Sequence, residues 1–225
     1  MPDFSIFISR NQEDVQELRN WSDSQNLELI SKSLIQFESV SFEIPENWDV
    51  IFFPSPRAVD FFFRQPTNLN FSNKKFASAG KGTVLALQKW VEKVDFVPKN
   101  SGKINEVQHE FAEWLQGRKV LFVGSNQSKK SILTNLPSSQ YEFVQVYYTK
   151  FKLEEIAPCQ LYIFSSPSNV KSFLTRNQLP TSSKVISWGQ STTNELKKNG
   201  INPIFELKSS ELSELIQFLS ESFND

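Results

Sequence analysis

Four turns in the sequence combine the residue types that receive an anion: backbone N–H groups opening a helix, and a hydroxyl beside them. Ser55-Pro56-Arg57 and Ser166-Pro167-Ser168 each close an apolar run and open an amphipathic one. Gly80-Lys81-Gly82-Thr83 and Gly189-Gln190-Ser191-Thr192 do the same with glycine in front. The first N–H groups of a helix have no intrahelical acceptor, and the helix dipole favours negative charge there. Ser55, Thr83, Ser166, Ser168, Ser191 and Thr192 are thus candidate anion-binding hydroxyls, with Arg57, Lys81 and Lys130 as nearby cations. The plainest role for such a hydroxyl is an N-cap, but capping does not require the same Gly-x-x-Ser/Thr turn twice.

The remaining inventory excludes much familiar chemistry. His109 is the only histidine and lies in a polar helical stretch, where it reads as an exposed surface residue. Cys159 is the only cysteine, so an intrachain disulfide and a Cys-rich metal site are both ruled out. Neither a P-loop nor a Gly-x-Gly-x-x-Gly turn is present, which argues against nucleotide binding. Tyr147 and Tyr148 are the acid-capable side chains best placed to act. A net charge of −1 and a pI near 6.0 argue against a broad nucleic-acid-binding face. No stretch approaches the roughly 20 apolar residues of a membrane span, so the expected location is the cytoplasm.

The elements that must position these turns are short apolar runs alternating with amphipathic ones. Strands are expected at 4–9, 27–31, 50–53, 75–79, 94–98, 119–124, 142–148, 161–164, 184–188 and 203–207. Helices are expected near 13–25, 56–64, 81–92, 104–116, 128–135, 168–176, 190–199 and 209–222. Such alternation predicts an α/β chain with parallel sheets covered on both faces. The halves also repeat: Ser55 precedes Gly80 by 25 residues and Ser166 precedes Gly189 by 23. The expected anatomy is a discontinuous domain (1–36 and 152–225) with a second domain (41–147) inserted. The chain would cross at 37–40 and 148–151, pairing as a two-stranded hinge. Ligands of open parallel sheets bind outside the carboxyl ends of the strands, so the four turns are expected to line one interdomain cleft.

At these residues the sequence resembles the uroporphyrinogen-III synthase family over essentially its whole length. The resemblance rests on Phe53-Pro54-Ser55-Pro56-Arg57-Ala58-Val59, Gly80 to Thr83, Val146-Tyr147-Tyr148-Thr149, Phe164 to Ser168, and Gly189-Gln190-Ser191-Thr192. Pro54 and Gln190 depart from the family pattern. The resemblance implies two flavodoxin-like domains joined by a two-stranded ladder, and a cofactor-free lyase of tetrapyrrole and heme biosynthesis. Its substrate would be the linear tetrapyrrole hydroxymethylbilane, closed with loss of water and inversion of the last pyrrole ring through a spiro intermediate. Tyr147 would be the proton donor. Ser55, Arg57, Lys81, Thr83, Lys130, Ser166, Ser168, Ser191 and Thr192 would bind the substrate's carboxylates. The implied partners are that substrate and, transiently, the preceding pathway enzyme, with neither nucleic acid nor membrane and the chain a monomer. The competing reading is a non-catalytic two-domain protein that binds a small anionic ligand.

Overall fold

A computed structural model describes residues 4–65, 71, 73–99 and 104–224. By internal contacts the chain divides into two compact units, Met1–Gln36 with Lys150–Asp225, and Phe37–Thr149.

The first unit holds β1 (Ser5–Ile8), α1 (Gln16–Ser24) and β2 (Glu28–Ser31). The chain then leaves through β3 (Ile35–Ser39) and returns through β7 (Tyr141–Phe151); the unit boundary falls inside both strands. It continues with β8 (Leu161–Phe164), α5 (Pro167–Arg176), β9 (Lys184–Ser187), α6 (Gln190–Lys198), β10 (Phe205–Glu206) and α7 (Leu212–Asn224). Its sheet runs β10-β9-β8-β1-β2, with parallel pairing throughout. Ranked by position in the chain this is 2-1-3-4-5 read from the β2 edge, so the order reverses between β1 and β8. Every residue of β1 and β8 is buried, which is why these strands read as unbroken apolar runs. One face packs Leu18, Leu215 and Leu219 from the helices, and the other packs Val170, Phe173 and Leu196.

The second unit holds β4 (Val50–Phe53), α2 (Pro56–Phe63), β5 (Lys75–Ser78), α3 (Lys81–Leu87), α4 (Ile104–Leu115) and β6 (Val120–Ser125). Its sheet is β3-β7-β6-β4-β5. Pairs β4/β5, β4/β6 and β6/β7 are parallel. Rings supply the core: Phe52 lies 5.1 Å from Phe111 and 5.4 Å from Phe122 on one face, and Phe53 lies 5.4 Å from Phe62 on the other. At the sheet edge β3 meets β7, and Val40 N–H donates to Val146 O at 3.1 Å.

The strand expected at 203–207 shortens to Phe205–Glu206 and the helix expected at 81–92 ends at Leu87, and two further elements contract more sharply. The strand at 94–98 is a single parallel bridge, Ala77 to Phe96. The Asp95 carboxylate accepts the Phe76 N–H that a ladder would use, and Pro98 has no N–H to offer. The helix at 128–135 is a 3-10 turn, Ser131–Leu133. There the Ser131 carbonyl accepts from Thr134 N–H, Thr134 Oγ1 and Gln108 Nε2, which holds the backbone in i→i−3 bonding.

The repeat seen in the sequence extends to the whole of each unit, but in permuted order. Starting from β4, the second unit reads β4, α2, β5, α3, the Phe96 bridge, α4, β6, the 3-10 turn, β7. Starting from β8, the first reads β8, α5, β9, α6, β10, α7 and then, past the chain ends, β1, α1, β2. Apart from β3 the sheets agree: β10 flanks β9 as Phe96 flanks β5, and β1 flanks β8 as β6 flanks β4. Helix packing agrees as well, since α2 packs on α3 as α5 does on α6, and α4 packs on the 3-10 turn as α7 does on α1. The sequence carries a further echo of this. Phe122-Val123-Gly124-Ser125-Asn126-Gln127 closes β6, and Phe7-Ile8-Ser9-Arg10-Asn11-Gln12 closes β1.

Candidate functional site

Sheet register sets the four turns in place. Phe53 pairs with Ser78 and Phe164 with Ser187, so in each unit a Ser-Pro turn and a Gly turn leave the sheet side by side. Ser55 (φ −160°, ψ 157°) and Ser166 (φ −161°, ψ 156°) have nearly identical backbones. Each is an N-cap followed by Pro at the first helical position, where a missing N–H costs nothing. Gly80 (φ 169°, ψ 179°) and Gly189 (φ 158°, ψ 176°) match in the same way. Matching dihedrals at both pairs make the repeat one of geometry as well as residue type.

The hydroxyls divide into two kinds. Ser55 Oγ accepts from Ala58 N–H at 3.2 Å, and Ser166 Oγ accepts from Asn169 N–H at 3.3 Å and Asn169 Nδ2 at 3.1 Å. These are caps, and a serine oxygen with its lone pairs occupied still has its own proton to donate. We expect Ser55→Ala and Ser166→Ala each to lower stability by about 1 kcal/mol, measured by urea unfolding. A much larger loss of activity than of stability would show that the remaining hydroxyl proton is used. Thr83 and Thr192 are buried, Ser168 is half-buried and Ser191 is exposed. In both Gly turns the third helical amide already bonds the glycine carbonyl, Thr83 N–H to Gly80 O at 3.0 Å and Thr192 N–H to Gly189 O at 2.9 Å. The i→i−4 ladder gives no acceptor to the first two amides, those of Lys81 and Gly82 or of Gln190 and Ser191.

In the second unit the structure brings Lys81 and Thr83 together in an open depression of about 450 Å³, lined also by Pro54, Pro56, Gly80 and Lys99. Lys99 is a cation that pattern reading passed over, because nothing near it in sequence belongs to a motif. Arg57 sits elsewhere, its guanidinium 3.5 Å above the Phe37 ring. Lys130 is exposed, with Nζ 4.0 Å above the Phe143 ring. In the first unit Ser166 and Ser168 open α5, and Ser191 and Thr192 open α6 on the adjacent strand.

Tyr147 owes its position to an irregularity in β7. Gly124 pairs with Gln145, but Ser125 pairs with Tyr147, so Val146 is an extra residue in the ladder. Such a bulge re-aims the side chain that follows it. Val146 and Tyr147 are consequently both buried, Tyr147 being 5% exposed, whereas Tyr148 is 43% exposed. The Tyr147 ring stacks on Phe61 at 4.9 Å and meets Phe37 edge-on at 5.9 Å. Arg57 therefore reaches Tyr147 through the shared Phe37. The bulge is held by Asn126: Thr149 N–H donates to Asn126 Oδ1 at 2.9 Å, and Asn126 Nδ2 donates to Thr149 O at 3.4 Å. A Cβ on Gly124 would lie 2.6 Å from Ser128 Oγ, so glycine is what lets this turn close. Asn126 and Gly124 were missed in the sequence, and the Phe-x-x-x-Asn-Gln echo with β1 was the available signal.

His109 is exposed on α4, 3.3 Å from Glu113. Cys159 is buried, and burial pushes its thiol pKa up, away from the reactive thiolate. Among the described residues no cluster of His, Cys, Asp and Glu is arranged to hold a metal ion. No described helix is long and apolar enough to cross a membrane.

The family model for uroporphyrinogen-III synthase HemD matches residues 25–217. No curated protein sequence matches the chain. Among solved structures, uroporphyrinogen-III synthetase from Helicobacter pylori is similar, with 20% identity and a TM-score of 0.72 over 98% of this chain and 99% of that one. A mutant uroporphyrinogen III synthase from Thermus thermophilus is similar at 11% identity and a TM-score of 0.71, over the same shares. At these identities the structural likeness is one of fold. The family match spans most of the sequence and includes all four turns and the β7 bulge, and on it the chain belongs to the uroporphyrinogen-III synthase family.

Proposed function

We propose that the chain closes hydroxymethylbilane to uroporphyrinogen III, with helix-opening turns receiving the substrate's carboxylates. The observation that carries this reading is the doubled pair of turns, matched in backbone angle, each with a hydroxyl beside helix-opening amides. A linear tetrapyrrole bears an acetate and a propionate on each ring, and so needs several anion-receiving points set apart from one another. Ser55, Arg57, Lys81, Thr83 and Lys130 would serve from the second unit, and Ser166, Ser168, Ser191 and Thr192 from the first. The strand orders fit two flavodoxin-like units, and β3 beside β7 fits a two-stranded hinge joining 1–36 and 152–225 to 41–147.

In this reading the chemistry begins at the hydroxymethyl carbon. Its C–O bond breaks as the pyrrole nitrogen supplies electrons, and Tyr147 Oη gives the departing oxygen a proton, so that water leaves. The last ring then attacks the electrophilic carbon through its already substituted α-carbon, forming the spiro intermediate; the bond from that α-carbon to its original methylene breaks, the methylene rejoins at the ring's free α-carbon, and the proton lost there balances the one given by Tyr147. The substrate is reactive on its own, so the protein's contribution is mainly orientation. Fixing the ends of a flexible chain in one folded geometry removes an entropic part of the barrier.

The test is to generate hydroxymethylbilane in situ and resolve the uroporphyrinogen isomers. The type III isomer is expected. Formation of the type I isomer alone, as in the uncatalysed closure, would overturn the reading. Binding of a linear tetrapyrrole without turnover, seen as a raised Tm, would then mark a non-catalytic binding protein.

A further inference from the structure

We propose that Arg10 is a carboxylate-binding residue for the substrate, with its guanidinium placed over the Trp188 ring at the carboxyl end of β1. The inference rests on the tetrapyrrole reading above and adds a residue to it. Arg10 follows β1 where the strand order reverses between β1 and β8, and a crevice at such a point is where open parallel sheets take their ligands. The floor there is closed by serines: Ser165 N–H donates to Ser9 Oγ at 2.8 Å, and Ser165 Oγ donates to Ser9 O at 2.7 Å.

Its platform is rigid. The Arg10 guanidinium carbon lies 4.0 Å from the Trp188 ring centroid. Trp188 is tied to Ser210 at both ends, its Nε1–H donating to Ser210 O and its carbonyl accepting from Ser210 Oγ, each at 2.9 Å. The Arg10 backbone is fixed as well, its N–H on Ile8 O at 2.9 Å and its carbonyl on Ser31 Oγ at 2.8 Å. Stacking on indole orients the planar donor fork, which suits paired hydrogen bonds to a carboxylate.

The site also lacks an internal anion. Among the described residues no carboxylate forms an ion pair with Arg10 and no acceptor takes a hydrogen bond from its guanidinium. Burial lowers its pKa, and Asp14 opposes this only from a distance. A partly desolvated cation without an anion is unfavourable unless a ligand completes it. Arg118 also approaches a tryptophan, Trp114, but donates to the carbonyls of Trp114 and Leu115 and so closes the end of α4. Ser125, which holds Arg10's place in the permuted repeat, is neutral and accepts from Gln127 N–H. The cation at this position is therefore a feature of the first unit, where Ser166, Ser168, Ser191 and Thr192 supply hydroxyls and no charge.

The experiment measures KM and kcat for hydroxymethylbilane in the Arg10→Gln, Arg10→Lys and Arg118→Gln proteins, with Tm for each. Arg10→Gln is expected to raise KM by about tenfold or more, the loss of one charge-assisted carboxylate contact. Its kcat should change less and its Tm little. Arg10→Lys should recover only part of the affinity, since an ammonium neither stacks nor forks. Arg118→Gln should lower Tm and leave KM alone. An Arg10→Gln protein with the parent KM overturns the inference, as does one whose KM rise is matched by Arg118→Gln. Failure of the functional reading looks different, because the parent protein itself would then form only the type I isomer. If Arg10→Gln fails to fold, full KM recovery in Arg10→Lys would still overturn a role for the stacked fork.

Discussion

Tyr147→Phe is expected to lower kcat by about 100-fold or more, the usual worth of a positioned proton donor, while Tm barely moves. The substitution keeps the ring between Phe37 and Phe61 and removes only the phenolic oxygen. Since 5% of the residue is exposed, the part open to a ligand is at most its edge, and the packing supplies orientation. Single-turnover measurement separates the chemical step from product release. The matched control is Tyr148→Phe, one residue along the same strand and 43% exposed, which should leave kcat unchanged. If both variants retain the parent rate, Tyr147 is a packing residue and the proton comes from solvent. Because the bulge aims Tyr147, loosening it should act in the same direction: Asn126→Ala removes both hydrogen bonds to Thr149 and should lower kcat with a smaller effect on KM.

Phe122→Ala is expected to cost about 3–5 kcal/mol, the range for removing a buried aromatic side chain. Phe122 is fully buried, stacked on Phe52 at 5.4 Å and packed against Phe143 at 6.0 Å. The permuted repeat predicts a partner effect at Phe7, which holds the same place in the other sheet and is equally buried among Tyr162, Phe164 and Phe173. Urea unfolding followed by a probe in each unit would check both. Phe122→Ala should shift the transition of the unit Phe37–Thr149, and Phe7→Ala that of the unit Met1–Gln36 with Lys150–Asp225. A single transition moved equally by both would mean that the units unfold together, since two-state behaviour need not hold for a chain of two units.

The turns were legible in the sequence because their causes are local. A serine before a proline at the end of an apolar run supplies a cap, a set φ and a helix start within a few residues, and Ser55 and Ser166 adopt that geometry almost to the degree. The same locality misled at 128–135, where a helix was expected. There the competition for the Ser131 carbonyl comes partly from Gln108, on a different element. It misled again at 94–98, where Asp95 takes an N–H that apolar patterning had assigned to a strand.

The sequence by itself determined the alternating α/β design, the doubled Ser-Pro and Gly turns and the family. Each of these is written in neighbouring residues, and the physics that reads them acts over one helical turn or one strand. Tertiary structure alone decided which strands stand side by side, and from that followed the permuted match between the units. It also decided the bulge that sets Tyr147 opposite Ser125, and the tryptophan beneath Arg10. Register and ring packing join residues far apart in the chain, so no spacing within a motif encodes them. The Ser-Pro and Gly turns were visible as separate pairs from the start; sheet pairing made them neighbours and supplied the cation beside one of them.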